Sequence, residues 1–252
     1  MSEPILHNRV AVITGASRGL GRAMALALGE AGARLALVAR DLAKLEETQT
    51  AARALGAECE VFVADVGKED SVQAVEAKII SRFGACHILV NNAGINLRKN
   101  ITEFTLEEWN LVMNSNLTSV FLMCRAFVPH MKGHGYGRII NMTSIMSHVS
   151  LPGRTAYSSS KTALLGLTRA LALELAGEDI TVNGISPGPF GTEMNTALMN
   201  NPELNAQFLS KIPVGRWGKV EEIGKLALYL CSPDAGFITG TDILIDGGWC
   251  AA

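Results

Sequence analysis

The fold is decided near the N-terminus by Val10-Ala-Val-Ile13, followed directly by Thr14-Gly-Ala-Ser-Arg-Gly-Leu-Gly21. A short β-branched run fits a buried strand, and the three glycines fit a tight turn in which a helix begins. Their spacing is G-x3-G-x-G rather than GxGxxG. The physical need is similar, since backbone must approach a pyrophosphate and helical amides must point at its charge. The stretch predicts a dinucleotide-binding turn, with a plain glycine-rich turn as the alternative.

Six further short apolar runs alternate with longer amphipathic segments along the chain. Strands this short, separated by helical segments, predict a parallel sheet covered by helices on both faces. We therefore expect an α/β fold over residues 1–252, a single doubly wound, Rossmann-type domain with about seven strands and about six helices. The six runs are residues 35–39, 61–63, 88–90, 138–140, 180–182 and 243–245.

Residues 186–218 do not follow this alternation of short apolar runs and amphipathic segments. The segment contains Pro187, Pro189, Pro202 and Pro213 around one short helical stretch near residues 195–209. Because it follows the carboxyl end of a predicted strand, where ligands of such sheets bind, we interpret it as a substrate-binding lid.

Composition excludes several classes of function. The 22 Lys and Arg against 24 Asp and Glu give a net charge of −2, which disfavours binding to nucleic acid or to an anionic membrane. The five cysteines are far apart and lack CxxC spacing, so no disulfide framework and no metal site are expected. The longest stretch without charged residues, 109–124, is short for a membrane span and contains three Asn. These features together predict a cytoplasmic protein.

The end of the second predicted strand bears on cofactor choice. An acidic residue there would bind a free ribose 2′-hydroxyl, but the sequence reads Val38-Ala-Arg40. Arg40 and Arg18 could flank a 2′-phosphate, which favours NADP(H). Asp41, which could instead cap a helix, keeps NAD(H) possible.

The sequence around Tyr157 supplies groups for proton transfer. Tyr157 and Lys161 lie four residues apart, so they share one face of a helix, and Ser144 follows the fifth predicted strand. A nearby ammonium favours the phenolate, which would make Tyr157 a usable acid and base near neutral pH. Ser144 could donate a hydrogen bond to a carbonyl oxygen that gains negative charge. The alternatives are a surface Tyr/Lys pair and a helix-capping Ser.

In this order, Thr14 to Gly21, Asn91-Asn-Ala-Gly94, Asn116, Ser144, Tyr157-x3-Lys161 and Pro187-Gly188 resemble a short-chain dehydrogenase/reductase over essentially the whole chain. The resemblance implies a catalytic set of Asn116, Ser144, Tyr157 and Lys161. It also implies hydride transfer between a nicotinamide cofactor and a carbonyl or alcohol carbon, and a helix irregularity at Asn116 that holds a water. The implied cofactor-binding residues are Gly15, Ser17, Arg18, Gly19, Leu20, Gly21, Arg40, Asp65, Val66, Asn91, Ala93, Gly94, Tyr157, Lys161, Pro187, Gly188 and Thr192.

Two branches of that family compete for the substrate. Gly94-Ile-Asn-Leu-Arg98 and Ile245-Asp-Gly-Gly-Trp249 look like gluconate 5-dehydrogenase and related sugar-acid or polyol reductases. The other branch, 3-oxoacyl-carrier reductase, docks an acidic carrier near the ends of two long helices, where this chain has Glu174 and Glu178. We therefore expect a small polar ketone or keto acid. The candidate carboxylate-binding residues are Arg98, His148 and Arg154.

The resemblance also implies a homotetramer built on two long helices, predicted at residues 106–131 and 156–176, and on the last strand. A nucleotide-binding regulator without turnover remains an alternative of another class. A methyltransferase fits less well, because it gives Tyr157 and Lys161 no task.

Overall fold

The computed structural model describes residues 3–251, apart from the side chains of Met194 and Ala197. All seven predicted strands are present and form one parallel sheet in the order β3-β2-β1-β4-β5-β6-β7, which confirms the predicted fold class. Because β4 pairs with β1 rather than with β3, the chain reverses its direction of winding there. A cleft consequently opens at the carboxyl ends of β1 and β4. The strands are β1 (Val10–Thr14), β2 (Arg34–Ala39), β3 (Cys59–Val63), β4 (Ile88–Asn91), β5 (Gly137–Met142), β6 (Ile180–Pro187) and β7 (Asp242–Ile245).

Helices cover both faces of the sheet. They are α1 (Gly19–Glu30), α2 (Leu42–Ala54), α3 (Glu69–Phe83), α4 (Leu106–Met113), α5 (Ser119–Phe127), α6 (Thr155–Leu175), α7 (Thr196–Met199), α8 (Pro202–Leu209) and α9 (Val220–Cys231).

Alternate residues of strands β1 to β6 contribute to two separate apolar cores. Ile13 points into the core made with α1, α2 and α9, whereas its neighbour Val12 points into the core made with α3, α5 and α6. Leu28 of α1 and Phe127 of α5 are fully buried on these opposite faces. Burial of each such side chain stabilises the fold by about 1.5–3 kcal/mol, so the sheet is fixed from both sides.

The predicted helix at residues 106–131 is interrupted. Between α4 and α5 the chain forms one π-helical turn, Asn114–Thr118, and a 3-10 turn, Val128–His130, follows α5. By length and composition, Leu106–His130 could cross a membrane. Here α5 packs against α3 and β4, so this segment contributes to the core of the domain.

The segment after β6 forms a flap whose two ends are joined. Phe190 and Gly218 form a β-bridge, and a Cβ at position 218 would lie 2.5 Å from the Phe190 ring. The stretch predicted near residues 195–209 is two helices, α7 and α8. Asn201 separates them and caps α8 by accepting a hydrogen bond from the Leu204 amide at 3.1 Å.

Candidate active site

A cavity of about 800 Å³ runs along the carboxyl ends of the strands, under the flap. Its wall includes the glycine turn, the ends of β2 and β3, the loop after β4, the start of α6 and the flap. This position and size suit a small molecule held at the winding reversal of a parallel sheet.

The glycine turn leaves no space for side chains on its inner side. Gly15 has φ +64°, and a Cβ at Gly21 would lie 2.3 Å from the Gly15 carbonyl oxygen. The Asn92 side chain fixes the turn by donating to the carbonyl oxygens of Thr14 (3.0 Å) and Gly15 (3.1 Å). On the outer side, a Cβ at Gly19 would meet only the Thr192 side chain, at 3.8 Å, among the residues that the structure describes. The open side therefore gives a pyrophosphate room to approach the backbone.

The first turn of α1 supplies donors for such an anion. Its N-cap, Arg18, makes no side-chain cap hydrogen bond, and α1 has no acidic residue in its first turn. Helix N-terminal amides and the helix dipole favour negative charge at this point. The residues present therefore fit the diphosphate of a nicotinamide dinucleotide.

Three cations surround the next part of the cavity. Arg18, Arg40 and Lys44 all line it. Glu193 of the flap lies 3.3 Å from Arg18 Nη1 and 3.5 Å from Lys44 Nζ. Asp41 caps α2 by accepting a hydrogen bond from the Lys44 amide at 3.2 Å, so part of its carboxylate is committed to the helix. Lys44 was not predicted from the sequence. It lies in the first turn of α2, and only the fold shows that its side chain reaches the cavity.

The opposite wall of this region carries Asp65 and Val66, which follow β3. The Asp65 carboxylate accepts a hydrogen bond from the Gly67 amide at 3.1 Å, and the Asp65 amide donates to Ser71 Oγ at 3.0 Å. These bonds hold the turn after β3 against the cavity.

Ser144, Tyr157 and Lys161 meet at the far end of the cavity. Ser144 follows β5 and caps the short turn Ile145–Ser147, accepting from the Met146 amide at 3.1 Å. Tyr157 and Lys161 lie on one face of α6, with Lys161 Nζ 5.9 Å from the centre of the Tyr157 ring. Lys161 also donates a hydrogen bond to the Met142 carbonyl oxygen. The structure thus places a hydroxyl, a phenol and an amine at one end of the cavity.

Burial dominates the titration of this pair. It raises the pKa of Tyr157, an effect opposed by hydrogen bonding with the Ser144 side chain and by the charge of Arg154. Burial also lowers the pKa of Lys161 to about 8. In the protein alone, burial favours the uncharged form of each group, because it penalises both charged forms.

Asn116 lies behind this end of the cavity, in the π-helical turn. Its Oδ1 accepts from the Ile95 amide at 2.8 Å, and its Nδ2 donates to the Ile95 carbonyl oxygen (2.9 Å) and to Ser160 Oγ (3.0 Å). A Cβ at Gly94 would lie 3.0 Å from Asn116 Oδ1 and 3.7 Å from Lys161 Nζ. The extra residue in the turn thus lets Asn116 tie the loop after β4 to α6, and the absence of a side chain at Gly94 permits the close approach.

Arg98 and Arg154 line the cavity beside Tyr157. Nη1 of Arg154 is buried and has no hydrogen-bond partner within residues 3–251. Burial lowers the pKa of Arg154, and the positive charge of Arg98 lowers it further. Two guanidinium groups that repel each other, one with an unpaired buried N–H, suit an incoming anion.

An aromatic wall completes the cavity. Phe208 stacks on Trp217, with ring centres 5.7 Å apart. The ring centres of Phe208 and Trp249 are 5.6 Å apart, and all three residues line the cavity. The sequence offered a weak signal for them, since two of the only three Trp residues stand at the end of the flap and after the last strand.

A family model described as enoyl-(acyl carrier protein) reductase matches residues 15–250. The chain belongs to the short-chain dehydrogenase/reductase family. It is therefore an oxidoreductase of the kind that acts on CH–OH groups.

Three similar proteins illustrate the range of this family. The chain is 35% identical to gluconate 5-dehydrogenase of Gluconobacter oxydans, covering 94% of this chain and 93% of the relative. It is 36% identical to 3-oxoacyl-[acyl-carrier-protein] reductase of Thermotoga maritima, covering 96% and 98%. A crystal structure from Agrobacterium tumefaciens, with bound NADP, superposes with a TM-score of 0.90 at 32% identity, covering 100% of both chains.

Compared with the sequence-based predictions, most short-chain dehydrogenase/reductase site residues line the cavity, and four do not. Gly21 lies beneath the glycine turn, and Asn116 lies behind Gly94. The Asn91 side chain points between strands, where it donates to Asn141 Oδ1 at 2.9 Å; the neighbouring Asn92 reaches the glycine turn instead. His148 was expected to face the substrate, but its ring meets Asp242 at 2.6 Å. The predicted residues on the wall are Gly15, Ser17, Arg18, Gly19, Leu20, Arg40, Asp65, Val66, Ala93, Gly94, Arg98, Ser144, Arg154, Tyr157, Lys161, Pro187, Gly188 and Thr192.

Proposed function

We propose that this protein is an NADP(H)-dependent oxidoreductase that interconverts a ketone and a secondary alcohol on a small polar substrate carrying a carboxylate, such as a sugar acid or keto acid. The observation that carries the proposal is the arrangement of one cavity. Ser144, Tyr157 and Lys161 share its wall with the glycine turn and with Arg98 and Arg154.

In this proposal Tyr157 is the general acid and base. Its phenol gives a proton to the substrate oxygen during reduction and takes it back during oxidation. The Ser144 hydroxyl donates a hydrogen bond to the same oxygen, which stabilises the negative charge that develops there. A nicotinamide cofactor held in this cavity would supply or accept the hydride.

Lys161 and Asn116 support that proton transfer. When Lys161 is protonated, its charge favours the phenolate of Tyr157, and its N–H groups can bind a ribose hydroxyl. Asn116 holds the loop after β4 and α6 at a fixed separation, because its amide bonds to both. A water held at the π-helical turn would connect Lys161 to solvent.

The remaining cofactor residues have separate tasks. The glycine turn and the first turn of α1 would hold the diphosphate, Asp65 would bind the adenine, and Thr192 would bind the nicotinamide amide. Arg40 and Lys44 bind the 2′-phosphate of NADP(H). The capping bond of Asp41 favours NADP(H) over NAD(H), because a committed carboxylate is a weaker partner for a ribose 2′-hydroxyl.

Arg98 and Arg154 bind the substrate carboxylate, and the aromatic wall of Phe208, Trp217 and Trp249 excludes water from the reacting carbon. The flap, residues 186–218, closes over the substrate.

A second function, reduction of 3-oxoacyl thioesters, is favoured by the Thermotoga maritima relative. However, Lys132, a cation at the helix ends where an acidic carrier would dock, is paired with Glu178 at 3.1 Å.

A substrate panel tests the proposal. D-gluconate and D-sorbitol with NADP+ or NAD+, and acetoacetyl-CoA with NADPH or NADH, are followed at the absorbance band of the reduced nicotinamide. We expect turnover of D-gluconate with NADP+ and a higher kcat/KM than for D-sorbitol, which is the same carbon chain without the carboxylate. Faster turnover of acetoacetyl-CoA would support the second function. Turnover of neither class would contradict both.

The proposal includes a homotetramer located in the cytoplasm. Leu106 of α4 and Leu173 of α6 are 71% and 83% exposed, and Phe121 of α5 is half exposed. These apolar side chains suit a contact between copies of the helices. Leu164 and Leu165 of α6, by contrast, are buried within the chain. Sedimentation of a monomer at micromolar concentration would reject the tetramer.

A further inference from the structure

A cluster of hydrogen-bonded side chains lies directly behind Ser144. The carboxylate of Asp242 accepts hydrogen bonds from Thr143 Oγ1 (2.5 Å), Ser186 Oγ (2.6 Å) and His148 Nε2 (2.6 Å). Ser186 Oγ is also 3.0 Å from the Ser144 carbonyl oxygen. A continuous set of hydrogen bonds therefore joins His148, at the surface, to the backbone of Ser144.

The cluster is confined. Thr143 and Ser186 are buried, and the Asp242 side chain is 9% exposed. A Cβ at position 184 would lie 2.1 Å from Asp242 Oδ1, so only glycine leaves room for this carboxylate. A carboxylate held this deeply is costly unless each oxygen is bonded to donors. Thr143, Ser186 and His148 provide those donors.

The protons of the cluster can be counted. Thr143 has one hydroxyl proton, which goes to Asp242 Oδ1. A carboxylate oxygen only accepts, so His148 Nε2 must carry the proton that it shares with Oδ2. The single proton of Ser186 has three acceptors in reach: Asp242 Oδ2, Thr143 Oγ1 at 2.9 Å and the Ser144 carbonyl oxygen.

The histidine decides this competition. Oδ2 can accept from both His148 and Ser186, because a carboxylate oxygen has two lone pairs. The His148 N–H weakens the pull of Oδ2 on the Ser186 proton, so that this proton is shared between Oδ2 and the Ser144 carbonyl oxygen, 3.0 Å away. Without the histidine donor, the strongest acceptor for Ser186 is the charged Oδ2, because hydrogen bonds to an ionised acceptor are roughly twice as strong as neutral ones. The Ser144 backbone would then lose a donor.

We propose that His148 is a positioning residue for Ser144, acting through Asp242 and Ser186. This inference rests on the proposed role of Ser144 and deepens it. Ser144 caps the turn Ile145–Ser147, and its carbonyl oxygen accepts from the Ser147 amide at 2.8 Å. The bond from Ser186 is a second restraint on that carbonyl. It fixes the direction in which the Ser144 hydroxyl meets the substrate oxygen.

The test compares variants that remove the donor with one that keeps it. His148→Leu has no donor, whereas His148→Gln places an amide N–H near the position of Nε2. Steady-state rates are measured with the panel substrate that turns over fastest. We expect His148→Leu to lower kcat about tenfold with KM for the dinucleotide unchanged, and His148→Gln to remain within twofold of the parent rate.

A double-mutant cycle identifies the path. Ser186→Ala removes the proton that His148 directs, so His148→Leu in the Ser186→Ala background should change kcat by less than twofold. If His148→Leu lowers kcat by the same factor with and without Ser186→Ala, the two residues act independently and His148 does not act through Ser186. If His148→Gln is as slow as His148→Leu, the hydrogen-bond donor of His148 is not what matters, and the proposal is wrong. This comparison of the two His148 variants tests the proposal by itself if Ser186→Ala does not fold.

Two controls separate the alternatives. His130 and Glu76 form a similar pair at 2.5 Å outside the cavity wall, and the exposed fractions of His130 and His148 are 30% and 31%. His130→Leu should leave kcat unchanged. Ser144→Ala should lower kcat strongly, and an unchanged rate there would contradict the proposed function itself. A slow Ser144→Ala with a fully active His148→Leu would contradict only the role of His148.

Discussion

Lys161 Nζ lies 5.9 Å from the centre of the Tyr157 ring, one helical turn along α6, and burial shifts the two pKa values in opposite directions. Both shifts favour the uncharged phenol and the uncharged amine. The site in the protein alone is therefore set for proton donation by Tyr157. A charged Lys161 and a phenolate would become favoured together, since each stabilises the charge of the other.

Replacing Tyr157 by Phe tests the acid and base directly. We expect kcat to fall by about 10²–10⁴-fold, because the substrate oxygen loses its proton donor. The Kd for NADPH, measured by the fluorescence of the reduced nicotinamide, should stay within a few-fold of the parent value. Tyr229→Phe on α9, a half-exposed phenol outside the cavity wall, is the matched control and should retain full activity. A Tyr157→Phe variant with the parent rate would contradict the mechanism.

Replacing Lys161 by Met should stabilise the protein at pH 7. The pKa of Lys161 is about 8 in the fold against 10.5 in the unfolded chain, so below pH 8 the fold carries the cost of a buried ammonium. That cost is on the order of 3 kcal/mol. The lost hydrogen bond to Met142 offsets part of it, and we expect a Tm higher by several degrees, measured by thermal unfolding.

The sign of the pH dependence follows from proton counts. Between pH 8 and 10.5 the unfolded chain binds more protons at Lys161 than the fold does, so the free energy of unfolding of the parent rises with pH in this window. The advantage of Lys161→Met should therefore shrink between pH 7 and pH 9.5. Lys225→Met, at an exposed position on α9, should show no such change. An advantage that is equal at both pH values would refute the buried-ammonium argument.

Replacing Arg40 by Ala should change cofactor preference. We expect kcat/KM for NADPH to fall about tenfold or more, since a charge-assisted hydrogen bond contributes about 1.5–3 kcal/mol, and kcat/KM for NADH to stay unchanged. Arg22→Ala on α1 removes an equal charge outside the cavity wall and serves as the control. Equal losses with both cofactors after Arg40→Ala would show that Arg40 does not bind the 2′-phosphate.

The architecture could be predicted from the sequence because its signals are local. The inner strands are short apolar runs, and burial on both faces leaves no alternation to misread, as in Val10–Thr14. The π-helical turn at Asn114–Thr118 could not be derived from periodicity, since one inserted residue barely disturbs the apolar pattern. Only the resemblance to a family implied an irregularity at Asn116.

Side-chain direction limited the prediction of the site. Asn91 and Asn92 are adjacent, and only the fold shows that Asn92 faces the glycine turn while Asn91 bonds to Asn141. His148 follows Ser144 closely in sequence, but the pairing of β6 with β7 brings Asp242 within reach of its ring. Contacts between residues 94 positions apart leave no local signal.

Arg154 provides the sharpest test of substrate chemistry. Its buried Nη1 has no partner within residues 3–251, and a substrate carboxylate would supply one. Arg154→Met keeps the apolar stem and removes the donor. We expect KM for D-gluconate to rise about ten- to a hundredfold, because a hydrogen bond between charged groups contributes about 1.5–3 kcal/mol. KM for D-sorbitol, which lacks the carboxylate, should stay within twofold, as should KM for NADP+. Arg169→Met, an exposed charge on α6, should alter none of these constants. Equal increases in KM for both substrates would mean that Arg154 shapes the cavity without binding a carboxylate, and the sugar-acid assignment would then lose its main support.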